Sequence, residues 1–83
     1  MNSKLFSQRF NRELLLLGFP EDIDEKIKAV AKVFCVNRHL ANAMIFGHIV
    51  PSGEQLTKIA ATLEVCPLWL SGATDKKKNY AMQ

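Results

Sequence analysis

VAKVFCVNRHLANAMIFG, residues 30–47, is the stretch of this chain that decides the fold. Its apolar spacing predicts two short helices joined by a tight turn. Asn37 is a good N-cap for the second helix, which we expect to continue to about Phe46 before Gly47 ends it. The second helix therefore opens on a polar and basic face, residues 37–39.

The helix before the turn begins at an acidic cluster, residues 21–25. Asp22 and Glu25 have the spacing of a capping box, and carboxylates suit the positive end of a helix dipole. We expect this helix to run to about Phe34, with Cys35 half-buried at the turn. Capping accounts for the acidic cluster and removes any need for paired catalytic carboxylates.

Three further helices are predicted outside this pair. The first spans about 4–17 and is stopped by Gly18. The fourth follows a second capping box formed by Ser52 and Gln55. Pro67 suits the first position of a short last helix over residues 67–70, which Gly72 ends.

The predicted core comes from apolar residues at helical spacing. Leu15 and Leu16 fall partly off the stripe of the first helix, which favours exposure or a partner contact for one of them. Trp69 is expected to anchor the last helix against the first helix or a second subunit. The predicted core positions are Phe6, Phe10, Leu14, Leu17, Ile23, Ile27, Val30, Ala31, Phe34, Ala41, Met44, Leu56, Ile59, Ala60 and Leu63.

The pattern as a whole predicts a compact all-α domain of five helices over residues 1–72, followed by a flexible basic tail over residues 73–83. The chain has 83 residues, 48% hydrophobic and 23% charged, which is ordinary for one soluble globular domain. The apolar run 14–17 is far short of the roughly 20 residues of a membrane span. Without a signal-peptide pattern at the N-terminus, we expect a cytoplasmic protein and no membrane partner.

The chain carries no recognisable catalytic or metal-binding pattern. Cys35 and Cys66 do not form a Cys-x-x-Cys pair, and His39 and His48 lack metal-ligand spacing with them. The sequence also has no Ser/His/Asp set and no Gly-rich phosphate loop. We therefore expect reduced cysteines, no metal, no cofactor, no small-molecule ligand and no enzymatic activity.

The net charge is +3, and its distribution is more informative than its sum. Basic residues concentrate in the segments that flank the predicted turn, and a lysine run, 76–78, lies in the tail. This distribution favours a polyanionic partner, although a solvated face is the ordinary role of such charges. The flanking basic residues are Arg9, Arg12, Lys28, Lys32, Arg38, His39 and His48.

Four segments in this order resemble a known family. They are residues 9–18 with Arg9-Phe10, residues 47–52 (GHIVPS), residues 56–65 (LTKIAATLEV) and residues 69–72 (WLSG). Together they resemble the lambda-repressor-like, or XRE-type, helix-turn-helix domains of Cro and phage repressors. The resemblance covers roughly residues 5–72 and implies that residues 37–46 form the DNA-recognition helix.

Three departures from the family pattern stand out. The segment 18–36 is about six residues longer than the commonest family spacing. Cys35 replaces the glycine often found in the turn. Ile45 and Phe46 stand where the family usually has polar residues.

The resemblance implies base contacts for Arg38, His39 and Ala43, with Asn42 on the neighbouring exposed face and Asn37 at the helix start that approaches phosphate. Arg bonds bidentately to guanine and Asn to adenine, whereas alanine offers only a methyl contact to thymine. The alternative is that Arg38 and His39 are ordinary surface residues. Phosphate contacts, each with a plain solvated charge as its alternative, are expected for Arg9, Arg12, Lys28, Lys32 and His48.

The last expectation concerns association. Ile45, Phe46, Ile49 and Val50 are core if buried, and a dimer contact together with Trp69 if exposed. A homodimer would match a two-fold double-stranded DNA operator. The leading hypothesis is thus a sequence-specific DNA-binding transcriptional regulator of the repressor type. The alternative is an antitoxin or antirepressor that acts mainly by binding protein.

Overall fold

Five helices form the described part of the chain. The computed structural model describes residues 3–51 and 53–76, which contain no strand. The radius of gyration, 11.9 Å, is that of a compact globule of this size. The prediction of a compact all-α domain is confirmed. The helices are α1 (Ser3–Leu16), α2 (Ile23–Val33), α3 (Arg38–Ile45), α4 (Gly53–Leu63) and α5 (Pro67–Ser71).

The core is built on the inner face of α1. Phe6, Phe10 and Leu14 are completely buried. The rings of Phe6 and Phe10 stack with centroids 5.4 Å apart, and Phe34 at the end of α2 lies 5.6 Å from Phe10. Trp69 of α5 is also buried and contacts α1, which confirms its predicted role as an anchor on the first helix.

Two predicted core positions are wrong. Leu17 is 57% exposed because α1 ends at Leu16, so Leu17 lies in the turn and is no longer on the helical stripe. Ile23 is 43% exposed because it is the first residue of α2 and lies next to the loop that joins α1 to α2. Apolar spacing alone does not reveal where a helix stops.

The predicted helix starts at α2 and α3 are confirmed. The Glu25 backbone N–H donates to the Asp22 carboxylate at 3.2 Å, and the Leu40 backbone N–H donates to Asn37 Oδ1 at 2.7 Å. Each side chain thus satisfies one of the free donors of a first helical turn. The second predicted capping box depends on Ser52, which lies outside the described residues.

All five helices end in the same way, on a residue in the left-handed conformation. The next residue then donates its backbone N–H to a carbonyl five positions back, as in Phe19 to Leu14 at 3.0 Å and His48 to Ala43 at 2.9 Å. The expected glycine stops are confirmed, but α2 and α4 end on residues other than glycine, Cys35 and Glu64. The five end residues are Gly18, Cys35, Gly47, Glu64 and Gly72.

The end of α3 is held by polar groups of α1. The Ser7 hydroxyl and the Asn11 amide both donate to the Ile45 carbonyl, at 2.6 and 2.9 Å. A Cβ at Gly47 would lie 3.2 Å from Ser7 Cβ and 3.4 Å from the Ser3 carbonyl oxygen. Gly47 is therefore required both for its φ of +77° and for this close approach.

Gly47→Ala and Gly18→Ala form a matched pair, because both glycines end helices with positive φ, but a Cβ at Gly18 would meet no heavy atom within 4 Å. Gly18→Ala is expected to cost about 1 kcal/mol of unfolding free energy through backbone strain alone. Gly47→Ala should cost about 1–2 kcal/mol more, because its Cβ also presses on α1. Urea unfolding followed by circular dichroism measures both, and equal losses would contradict the close approach.

Within residues 3–51 and 53–76, none of the helices combines the length and the apolar character needed to cross a bilayer.

Candidate nucleic-acid interface

An open groove lies where α2 and α3 meet at the protein surface. Arg38, His39 and Asn42 of α3 line one side, and Asp24 and Lys28 of α2 line the other. The packing of α3 beneath the groove explains why these side chains lie at the surface. Helix α3 packs against both α1 and α2 through its buried residues, Ala41, Met44 and Ile45, which leaves the three groove residues at the surface.

The three groove residues of α3 are exposed. Within the described part of the chain, the side chains of Arg38, His39 and Asn42 make no hydrogen bond or ion pair. Lys28 makes an ion pair with Glu25 at 3.6 Å, but both side chains are more than half exposed, so the pair contributes little. The groove thus offers donors that the fold itself does not use.

Other predicted contact residues lie around the groove. Lys32 is exposed on α2, and His48 is exposed just after α3, while Ala43 is half-buried. Asn37 is exposed, and its side-chain oxygen accepts the Leu40 N–H, while its amide NH₂ group remains available to donate to a ligand. The carboxylate of Asp24 was not foreseen as part of this surface, because the acidic run was explained entirely by capping.

Arg9 has a structural role that sequence reasoning missed. Its guanidinium donates to the backbone carbonyls of Trp69 and Thr74, the latter at 3.0 Å, and lies 4.8 Å from the centre of the Trp69 ring. It also pairs with the Asp75 carboxylate at 3.5 Å. Arg9 therefore joins α1 to α5 and the segment after it, and it is not available to a phosphate in this arrangement.

The apolar cluster after α3 divides into a buried part and an exposed part. Ile45 is 5% exposed, and Val50 is half-buried against the core. Phe46 and Ile49 are 50% and 43% exposed. Of the residues assigned to a dimer contact, only these last two present a large apolar side chain to solvent, since Trp69 is also buried.

The C-terminal segment is described only as far as Lys76, which is exposed. The backbone N–H of Ala73 donates to the Leu68 carbonyl at 2.7 Å, and the carbonyl of Thr74 is held by Arg9. Residues 77 and 78 of the lysine run, and the rest of the predicted tail, lie outside the described residues.

The turn between α2 and α3 contains a strained residue. Cys35 has a φ of +56°, a conformation that favours glycine, and the Val36 N–H donates to the Ala31 carbonyl at 3.1 Å. The prediction that Cys35 is half-buried is wrong: Cys35 lies in the turn beyond the last residue of α2 and is exposed.

Comparisons with family models, curated proteins and solved structures find no match for this chain. Among the described residues, no three of the His, Cys, Asp and Glu side chains come together in a way that could hold a metal ion.

Cys35→Gly is expected to raise the free energy of unfolding by about 1 kcal/mol, because glycine adopts the left-handed conformation without the cost that an L side chain incurs. Cys35→Ala is the matched control, since it removes the thiol but keeps Cβ, and it should stay within about 0.5 kcal/mol of the parent chain. Urea unfolding measures both. A Cys35→Gly variant less stable than Cys35→Ala would show that the turn is unstrained.

Proposed function

We propose that this protein is a sequence-specific double-stranded DNA-binding regulator with a lambda-repressor-like helix-turn-helix domain. The observation that supports this proposal best is the groove at the start of α3. There Arg38, His39 and Asn42 are exposed and unused by the fold, while Ala41, Met44 and Ile45 of the same helix are buried. A helix with this division can enter the major groove without disturbing the core.

In the proposed complex, base recognition falls to the first half of α3. Arg38 would bond bidentately to guanine and Asn42 to adenine, with His39 contacting an adjacent base. Ala43 is half-buried and could offer only a methyl group. These contacts would select the sequence to which the protein binds.

Phosphate contacts in this proposal come from Lys28, Lys32 and His48, together with the amide of Asn37. Such contacts set the orientation of α3 on the duplex without reading sequence. Arg9 is left out because its guanidinium is already held by the C-terminal segment. Arg12 is left out because it lies on α1, in a groove that shares no residue with the one at α3.

The regulator would act as a homodimer in the cytoplasm and repress transcription by occupying a two-fold operator. Phe46 and Ile49, the exposed apolar residues after α3, are the proposed dimer contact. A dimer is the form that suits a palindromic operator, whose half-sites lie about one turn of DNA apart.

Selection of bound duplexes from a random pool tests this function directly. We expect a palindromic consensus, and we expect Arg38→Ala to reduce the ratio of specific to random-duplex affinity about 10-fold to 100-fold. Lys58→Ala, which removes an exposed charge on α4, is the control and should keep the ratio. The base-reading role of Arg38 is refuted by an unchanged ratio, and the proposed function by a pool without enrichment.

A second measurement separates phosphate contacts from base contacts. Lys32→Ala should weaken binding to specific and random duplexes alike, and lower the slope of log affinity against log salt by about 1. Fluorescence anisotropy across a salt series gives the slope. The slope for Lys58→Ala should match that of the parent chain, and a Lys32→Ala slope that also matches would remove Lys32 from the interface.

The alternative is a protein-interaction module, such as an antitoxin or antirepressor. Two observations favour this alternative: the side chains of Phe46 and Ile49 are exposed, and the Asp24 carboxylate lines the groove. Phe46→Glu distinguishes the two functions once a protein partner is in hand. Loss of partner binding with duplex binding intact favours the interaction module, whereas loss of dimerisation and operator binding together favours the regulator.

A further inference from the structure

A second open groove, of about 510 Å³, lies between α1 and the segment that leads into α2. Along the α1 wall lie Leu5, Gln8, Arg12 and Leu15, whose spacings of three or four residues place their side chains on one face of the helix. Pro20 and Lys26 belong to the opposite wall. The groove lies outside the proposed DNA-contact surface, so its use does not depend on the proposed function.

The groove has an uncovered apolar surface. Leu15 is 60% exposed, and Pro20 is also exposed, while Leu5 and Phe19 are half-buried. Exposed apolar side chains gathered along a groove are typical of a surface that a partner covers. The predicted exposure of Leu15 or Leu16 is confirmed for both residues, but only Leu15 lines the groove.

The charges around this apolar surface are mainly positive. Arg12 and Lys26 line the groove with one lining carboxylate, that of Glu21, while the charge of Arg9 is met by Asp75. At one end, the Asp75 carboxylate of the chain's own C-terminal segment lies 3.5 Å from Arg9 Nη2. A carboxylate therefore already fits at the margin of this groove. Among the described residues, neither Arg12 nor Lys26 has an ion-pair partner.

We propose that this groove docks an acidic amphipathic helix of a partner protein. Leu5, Leu15 and Pro20 would receive leucine-like side chains of the partner helix. Arg12 and Lys26 would pair with flanking carboxylates. The α1 wall from Leu5 to Leu15 is about 15 Å long, which corresponds to three turns of helix. An added β-strand is not an option, because the described residues include no strand whose edge could pair with one.

Screening a displayed peptide library for binding to the intact chain tests whether the partner is acidic. The library holds 16-residue helical peptides with a fixed leucine stripe, and its flanking positions vary among Glu, Lys and Gln. We expect the enriched peptides to carry an excess of Glu at the flanking positions. No enrichment, or enrichment of neutral or Lys-rich peptides, would overturn the proposal.

Two exposed leucines provide a matched pair for locating the binding site. With the best-enriched peptide labelled for anisotropy, Leu15→Ala should weaken binding about tenfold, because it removes buried apolar surface. Leu16→Ala removes an equally exposed side chain outside the groove and should leave the affinity unchanged. Both residues lie outside the core, so both variants are expected to fold. Equal effects of the two variants would overturn the proposed site.

Charge reversal tests the electrostatic part. Arg12→Glu should weaken binding of the selected peptide at least tenfold, and Lys58→Glu, with the same change in net charge on α4, should weaken it less than twofold. Equal losses would show that the effect depends only on the net charge of the protein, and they would overturn the proposal.

The proposal also fails if Leu15→Ala changes the oligomeric state, or if Arg12→Glu impairs duplex binding as Arg38→Ala does. The first result would assign the groove to a second copy, and the second to DNA.

Discussion

The position of α3 depends on how its last carbonyl is held. Ser7 and Asn11 of α1 donate two hydrogen bonds to the Ile45 carbonyl, and Gly47 allows the chain to pass close to Ser7. Backbone carbonyls at a helix end have no intrahelical partner, so these side chains replace water in a half-buried site. Because α1 also carries Phe6 and Phe10, which are completely buried, α3 is fixed to the helix that lies deepest in the core.

The two halves of α3 therefore have different surroundings. Its first turn presents Arg38 and His39, which the fold does not use, whereas its end is held by α1 and leads into exposed Phe46 and Ile49. A polar start suits recognition of a polar partner, and an apolar end suits association. The division supports the proposal that one short helix takes part in both, with the core in between setting their relative orientation.

Helical periodicity and capping residues were sufficient to predict the five helices and most of the core. They failed at Leu17 and Ile23, because apolar spacing carries no information on where a helix stops. They also missed the role of Arg9. Arg9 donates to backbone carbonyls about 60 residues away in sequence. Every residue has such a carbonyl, so the pattern of side chains does not indicate which ones Arg9 contacts. The candidate groove was predicted as a set of α3 residues, whereas the Asp24 carboxylate became visible only once the two helices were placed together.

The way the helices end has a consequence for how the chain folds. Each left-handed end is closed by a hydrogen bond across five residues, so the turns can form from local sequence alone. The contact of Arg9 with Trp69 instead closes a loop of about 60 residues, and long loops cost more chain entropy. The docking of α5 and the C-terminal segment onto α1 is accordingly the step we expect to form last and open first.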